Sequence, residues 1–145
     1  MIVYRICKTY PPDHDPIDGR GAFQSGGRWN SKGVPAVYTS SSQALARAEL
    51  GRHVELRMLP DDYRVYDIEL PDGSWVELPE LPQGWDADPP LSASRVLGDA
   101  FLNEHKYLAL RVPSVCDPES YNFILNPRAK VFDQVRVIRH YLFVP

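Results

Sequence analysis

The chain has 145 residues, 43% of them hydrophobic, with 16 Lys or Arg against 19 Asp or Glu, a formal net charge of −3 and a pI near 5.8. That length suits one domain with its own core, so a single domain over residues 1–145 is expected. The acidic balance argues against a surface built to neutralise a phosphate backbone, and no direct nucleic-acid role is expected.

No run approaches the roughly 18 consecutive apolar residues a membrane span requires, and the opening MIVYRICKTYPP lacks the basic-then-apolar layout of a signal peptide. A cytoplasmic protein with no membrane role is the expectation. Cys7 and Cys116 stand alone in separate strand-like stretches, and both are expected to be free and buried. The 14 prolines, about twice average usage, cluster between Pro60 and Pro90 and predict long ordered loops there.

In chain order, Ile2 to Cys7 alternates as a strand, with Arg5 on the face opposite Tyr4 and Ile6. Pro11 to Gly27 holds three prolines and four glycines and reads as one long loop, a candidate pocket wall. Val34 to Thr39 predicts a second strand. Ser40, Ser41 and Ser42 then offer N-caps for a helix ending near His53. Further strands are predicted at Arg64–Leu70, Ser74–Leu78, Tyr107–Val112, Tyr121–Leu125 and Gln134–Phe143. A second helix fits Ser94–Glu104, although Gly98 weakens it. Strands outnumber helices without regular alternation, which predicts an α+β domain with a central, mostly antiparallel sheet and few helices.

The densest candidate for chemistry is Gly26-Gly27-Arg28-Trp29-Asn30-Ser31-Lys32-Gly33. Glycines let backbone approach a ligand, and the fixed guanidinium of Arg28 suits a pyrophosphate or carboxylate. The alternative is a glycine turn whose arginine pairs a surface carboxylate. Neither a P-loop nor a dinucleotide-fold glycine spacing is present.

Tyr38 is either a stacking platform or a sheet tyrosine with its hydroxyl satisfied. On the helix after the serines, Ala44, Leu45 and Ala48 form one apolar face and Glu49 falls about 40° beyond Leu45. Glu49 is therefore expected at the edge of the buried stripe, as a solvated flank or as a carboxylate aimed into a cleft; Arg47 and Arg52 lie on different sides and do not decide between these. Pro113 ends its strand and leaves Ser114 at the terminus. With no G-x-S-x-G elbow around it, Ser114 is expected to hydrogen-bond a ligand or cap a turn, not to act as a nucleophile. Four histidines, His14, His53, His105 and His140, form no metal motif, so no metal is assigned.

Together these residues resemble the RES domain, the toxin half of a bacterial toxin-antitoxin pair, named for an arginine, a glutamate and a serine. The match rests on Arg28 in GGRWNSKG, Tyr38 in VYTSSS, Glu49 in ALARAEL, and Ser114 with Asn122 in VPSVCDPESYNFILNP, and it runs from Tyr4 and Arg5 to Asn126. The chain departs from the family after Asn126-Pro127, where members often carry a histidine and this one has Arg128 and Ala129.

The resemblance implies a fold similar to ADP-ribosyltransferases of the diphtheria-toxin type, with NAD as substrate. It implies degradation of NAD by hydrolysis or phosphorolysis, or ADP-ribosylation of a protein target. In its terms Glu49 steadies the ribose cation, Arg28 holds the diphosphate or adjacent ribose, and Tyr38 stacks on nicotinamide. Ser114 and Asn122 orient the ligand, and Arg5 is a secondary ligand candidate. An antitoxin with an Xre-type helix-turn-helix, covering the active site, is the implied partner; self-association is left open. Two rival readings are a ribonuclease-type toxin, disfavoured by the acidic pI, and a non-catalytic module in which Arg28 and Glu49 form a structural ion pair.

Overall fold

The computed structural model describes residues 1–145. Seven strands form one sheet: β1 (Ile2–Cys7), β2 (Val37–Ser40), β3 (Arg64–Glu69), β4 (Trp75–Glu77), β5 (Ala109–Pro113), β6 (Tyr121–Leu125) and β7 (Arg136–Leu142). Their spatial order is β4-β5-β6-β2-β1-β3-β7. Only β4 and β5 run parallel; every other neighbouring pair is antiparallel. Three helices, α1 (Arg20–Ser25), α2 (Gln43–His53) and α3 (Ser92–Asn103), complete a single α+β domain, as expected. No helix is long and apolar enough to cross a membrane.

Alternation along the strands divides the core in two, because successive side chains point to opposite faces. One face carries Val3, Val37, Ile68, Phe123 and Leu125, covered by Ala129, Phe132 and Val135. The other carries Leu110, Val112 and Ile124, packed against Trp29 and against Phe101 and Leu102 of α3. Gly98 is where α3 meets the Trp29 backbone: a Cβ there would lie 1.8 Å from the Trp29 carbonyl oxygen. The glycine that weakens the helical pattern is thus what allows the helix to dock.

Several sequence expectations are corrected. The stretch from Pro11 to Gly27 is not loop throughout, since α1 forms inside it after Gly19 turns the chain at φ 76°. β2 begins at Val37, not Val34, because the Val34 amide closes a turn onto Ser31 O and Pro35 has no N–H to give a ladder. Cys116 is half-buried in a bend after Pro113, not buried in a strand, while Cys7 is buried in β1; both thiols are free.

The largest correction concerns α2. Ser42 caps it, accepting from the Leu45 amide, but its buried residues are Leu45 and Ala46, and Ala44 and Ala48 are exposed. Leu45, Glu49, Ala46 and Leu50 span an arc of roughly 140° at 100° per residue. Glu49 therefore lies within the sheet-facing stripe, not at its edge.

Candidate active site

β1 and β2 share a single register pair, Tyr4 with Ser40. Beyond it Arg5 bridges the two strands, its Nη1 donating to the Tyr38 carbonyl at 3.2 Å. α2 lies over β1 and β2, and between helix, strands and the glycine-rich segment opens a cavity of about 620 Å³, a size suited to a small-molecule or cofactor ligand. Arg5, Arg28, Tyr38, Glu49 and Asn122 all line it, and so do Arg52 and His53. Ser114 does not.

The carboxylate of Glu49 is held from one side. Its Oε1 accepts from Ser114 Oγ at 2.6 Å and from Asn122 Nδ2 at 2.7 Å. Asn122 is itself oriented, because its Oδ1 accepts from Ser40 Oγ at 2.8 Å and so turns the amide NH₂ toward the carboxylate. Ser114, fully buried, accepts from the Cys116 amide at 2.9 Å. Charge-assisted bonds of this kind are the stronger class, and two of them fix one oxygen. The other, Oε2, has Arg52 Nη1 at 3.8 Å, with the Glu49 side chain 23% exposed.

Arg28 is half-buried, and both its hydrogen bonds leave from Nη1, to the carbonyls of Trp85 and Ala87 at 2.7 Å each. Burial holds its guanidinium below the ordinary value; the Arg52 cation adds to this, while Asp88, Glu49 and Asp86 oppose it. Arg5 lines the cavity, and its Nε is buried without a hydrogen-bond partner. Three arginines and one carboxylate line the space, so a chain of net charge −3 encloses a locally cationic pocket. Such a pocket suits an anionic ligand.

The glycine-rich segment is shaped from inside. Asn30, fully buried, donates to the carbonyls of Ala22, Ser31 and Val34. Its Oδ1 accepts from the Tyr38 hydroxyl at 2.7 Å, and that hydroxyl accepts from the Trp29 amide at 3.0 Å. A Cβ on Gly27 would stand 2.7 Å from the Tyr38 oxygen, so only glycine lets the turn close over the ring. Burial raises the Tyr38 phenol well above its ordinary value.

Of the six site residues singled out from the sequence, five line one cavity. Tyr38 reaches it with its hydroxyl already satisfied, and Arg28 and Glu49 share the pocket without a direct ion pair. Ser114 is not among the residues lining the cavity, and its hydroxyl donates to Glu49 Oε1. Sequence reasoning missed Asn30, Ser40 and Arg52; Arg52, three residues after Glu49, shares its helix face by spacing alone. Asn126 is structural, donating to Leu102 O and accepting from the Arg128 amide.

The fold and site together define an α+β domain with a cavity lined by three arginines around a fixed carboxylate. Residues 2–145 match the RES domain, and the chain belongs to that family. The Prs ADP-ribosylating toxin of Sphingobium sp. (strain YBL2) is 38% identical over 147 residues, covering 96% of this chain and 89% of that one. Toxin Res of Pseudomonas putida is 38% identical over 133 residues, covering 88% and 86%. Among solved structures, the crystal structure of the M. tuberculosis MbcT-MbcA toxin-antitoxin complex contains a chain matching with TM-score 0.78 over 98% of this chain and 83% of its own, at 19% identity. At that identity the likeness speaks to the fold.

Proposed function

We propose that the protein is a toxin-type enzyme, acting in the cytoplasm, that binds NAD and cleaves its nicotinamide-ribose bond. The observation that carries this reading is the Glu49 carboxylate, fixed through Oε1 by Ser114 and Asn122 inside a cavity shared with Arg28 and Arg5. In the proposed step the bond from the ribose anomeric carbon to the pyridinium nitrogen breaks, and its electron pair neutralises the ring. Nicotinamide leaves uncharged, so the leaving group needs no proton. The residual sugar carries positive charge, which a preorganised carboxylate stabilises as it develops. Arg28 holds the diphosphate, Tyr38 offers its ring to nicotinamide, and Arg5 Nε supplies a further donor.

An acceptor oxygen then bonds the anomeric carbon and releases its proton. With water the product is ADP-ribose; with inorganic phosphate it is the phosphorylated counterpart. Transfer to a protein side chain is the second reading, favoured by the similarity to the Prs ADP-ribosylating toxin of Sphingobium. A partner antitoxin, of the Xre helix-turn-helix type by family resemblance, accords with the toxin-antitoxin complex in which the structural neighbour was solved.

Mass analysis after incubation with NAD, with and without phosphate and with added protein extract, tests the proposal. Release of nicotinamide is expected, and the second product identifies the acceptor. NAD recovered intact in every arm contradicts the reading.

A further inference from the structure

Two guanidiniums that line the cavity, Arg28 and Arg52, hold the 84–90 segment, and Pro90 of that segment lines the same cavity. Arg28 Nη1 donates to Trp85 O and Ala87 O, and Arg52 Nη2 meets Asp88 Oδ2 at 3.4 Å. From the far end, Arg95 Nη1 donates to Pro90 O at 3.2 Å. Asp88 is exposed, whereas the Arg52 side chain is only 25% exposed and lines the cavity. Arg28 and Arg52 line one cavity and bind consecutive residues of the segment, Ala87 and Asp88, which puts the two cations close together. Two guanidiniums at that proximity match a diphosphate, whose charges are spread over adjacent groups.

We propose that Arg52 is a second diphosphate-binding residue beside Arg28, and that Asp88 on the 84–90 strap is its resident competitor, displaced when the substrate's anion enters. This rests on the NAD reading and adds to it a named ligand and a binding gate. The strap carboxylate occupies Arg52 in the free protein, and substrate takes over that contact. Removing Asp88 therefore strengthens binding, and removing Arg52 weakens it.

The test is calorimetric binding of ADP-ribose, which needs no turnover, to the full chain and its variants. Asp88→Asn is expected to tighten binding about two- to five-fold, the worth of one exposed ion pair. Asp133→Asn, which removes the same charge from an exposed site in the 132–134 turn, is expected to leave affinity unchanged. Arg52→Gln is expected to weaken binding about ten-fold, a contact to a charged group being lost, and in the double variant the Asp88→Asn gain disappears. With NAD as substrate the Asp88→Asn effect lies in KM. Wild-type affinity in Asp88→Asn or in Arg52→Gln overturns the gate while leaving the NAD reading standing. Absence of ADP-ribose binding in the folded wild-type protein overturns the gate, while the NAD reading falls only if NAD is also left intact.

Discussion

On one face of the sheet Val3, Val37, Ile68 and Leu125 pack hydrocarbon against hydrocarbon; on the other, at alternate positions of β1, β2 and β6, Tyr4, Ser40 and Asn122 present polar groups to a cavity. The first face is held by many interchangeable contacts, each non-directional. The second depends on a few hydrogen bonds of fixed direction, from Ser40 to Asn122 to Glu49 and from Ser114 to Glu49. Hydrophobic packing therefore holds all of one face and the α3 end of the other, while the chemistry is confined to the part of that second face around the cavity.

Substitutions can break that division. Leu125→Ala, at a residue with no exposed surface, is expected to lower unfolding free energy by about 2–5 kcal/mol. NAD turnover per folded molecule should stay near wild type. Denaturant melts with activity measured at matched folded fraction check this, and a turnover loss far exceeding the unfolded fraction would couple the two faces.

Ser114→Ala removes one of two donors to Glu49 Oε1 and is expected to lower turnover ten- to a hundred-fold, the range of about 1.5–3 kcal/mol for a bond to a charged group. Because Ser114 does not line the cavity, the effect should fall on kcat with KM little changed. A purely KM effect would mean that Ser114 meets the ligand after all.

Tyr38→Phe gives the smallest effect and reads it through pH. Burial raises the Tyr38 pKa in the folded protein, so the folded state retains a proton that the unfolded chain releases above its ordinary value of 10.0. The stability this contributes is complete below that value and is lost as pH rises toward the folded value. Removing the hydroxyl should cost about 1 kcal/mol at neutral pH and should flatten the alkaline fall in Tm. An unchanged alkaline slope in Tyr38→Phe would locate the pH sensitivity elsewhere.

The strands were legible because alternation follows directly from burial on two faces, and α2 because Ser42 caps it. Its buried face is less legible, since alanine pairs such as Ala44 and Ala48 carry little hydrophobic bias and burial is decided by the sheet beneath. α1 was hidden by flanking glycines in a six-residue helix. For the site, Arg28, Tyr38, Glu49, Asn122 and Arg5 were recognised by family resemblance, and all line one cavity. The role of Ser114 was not legible because its partner lies 65 residues away, and Arg28's bonds to Trp85 and Ala87 span 57 and 59 residues. Local pattern carries no signal for such pairings.

The most direct measurement is nicotinamide release from NAD by wild type, Glu49→Ala and Arg28→Ala, each shown to be folded by its melting curve. Wild type should release nicotinamide, Glu49→Ala should be slower by about a hundred-fold or more, and Arg28→Ala should require much higher NAD. Wild-type turnover in both variants would contradict the assignment of the cavity as the active site.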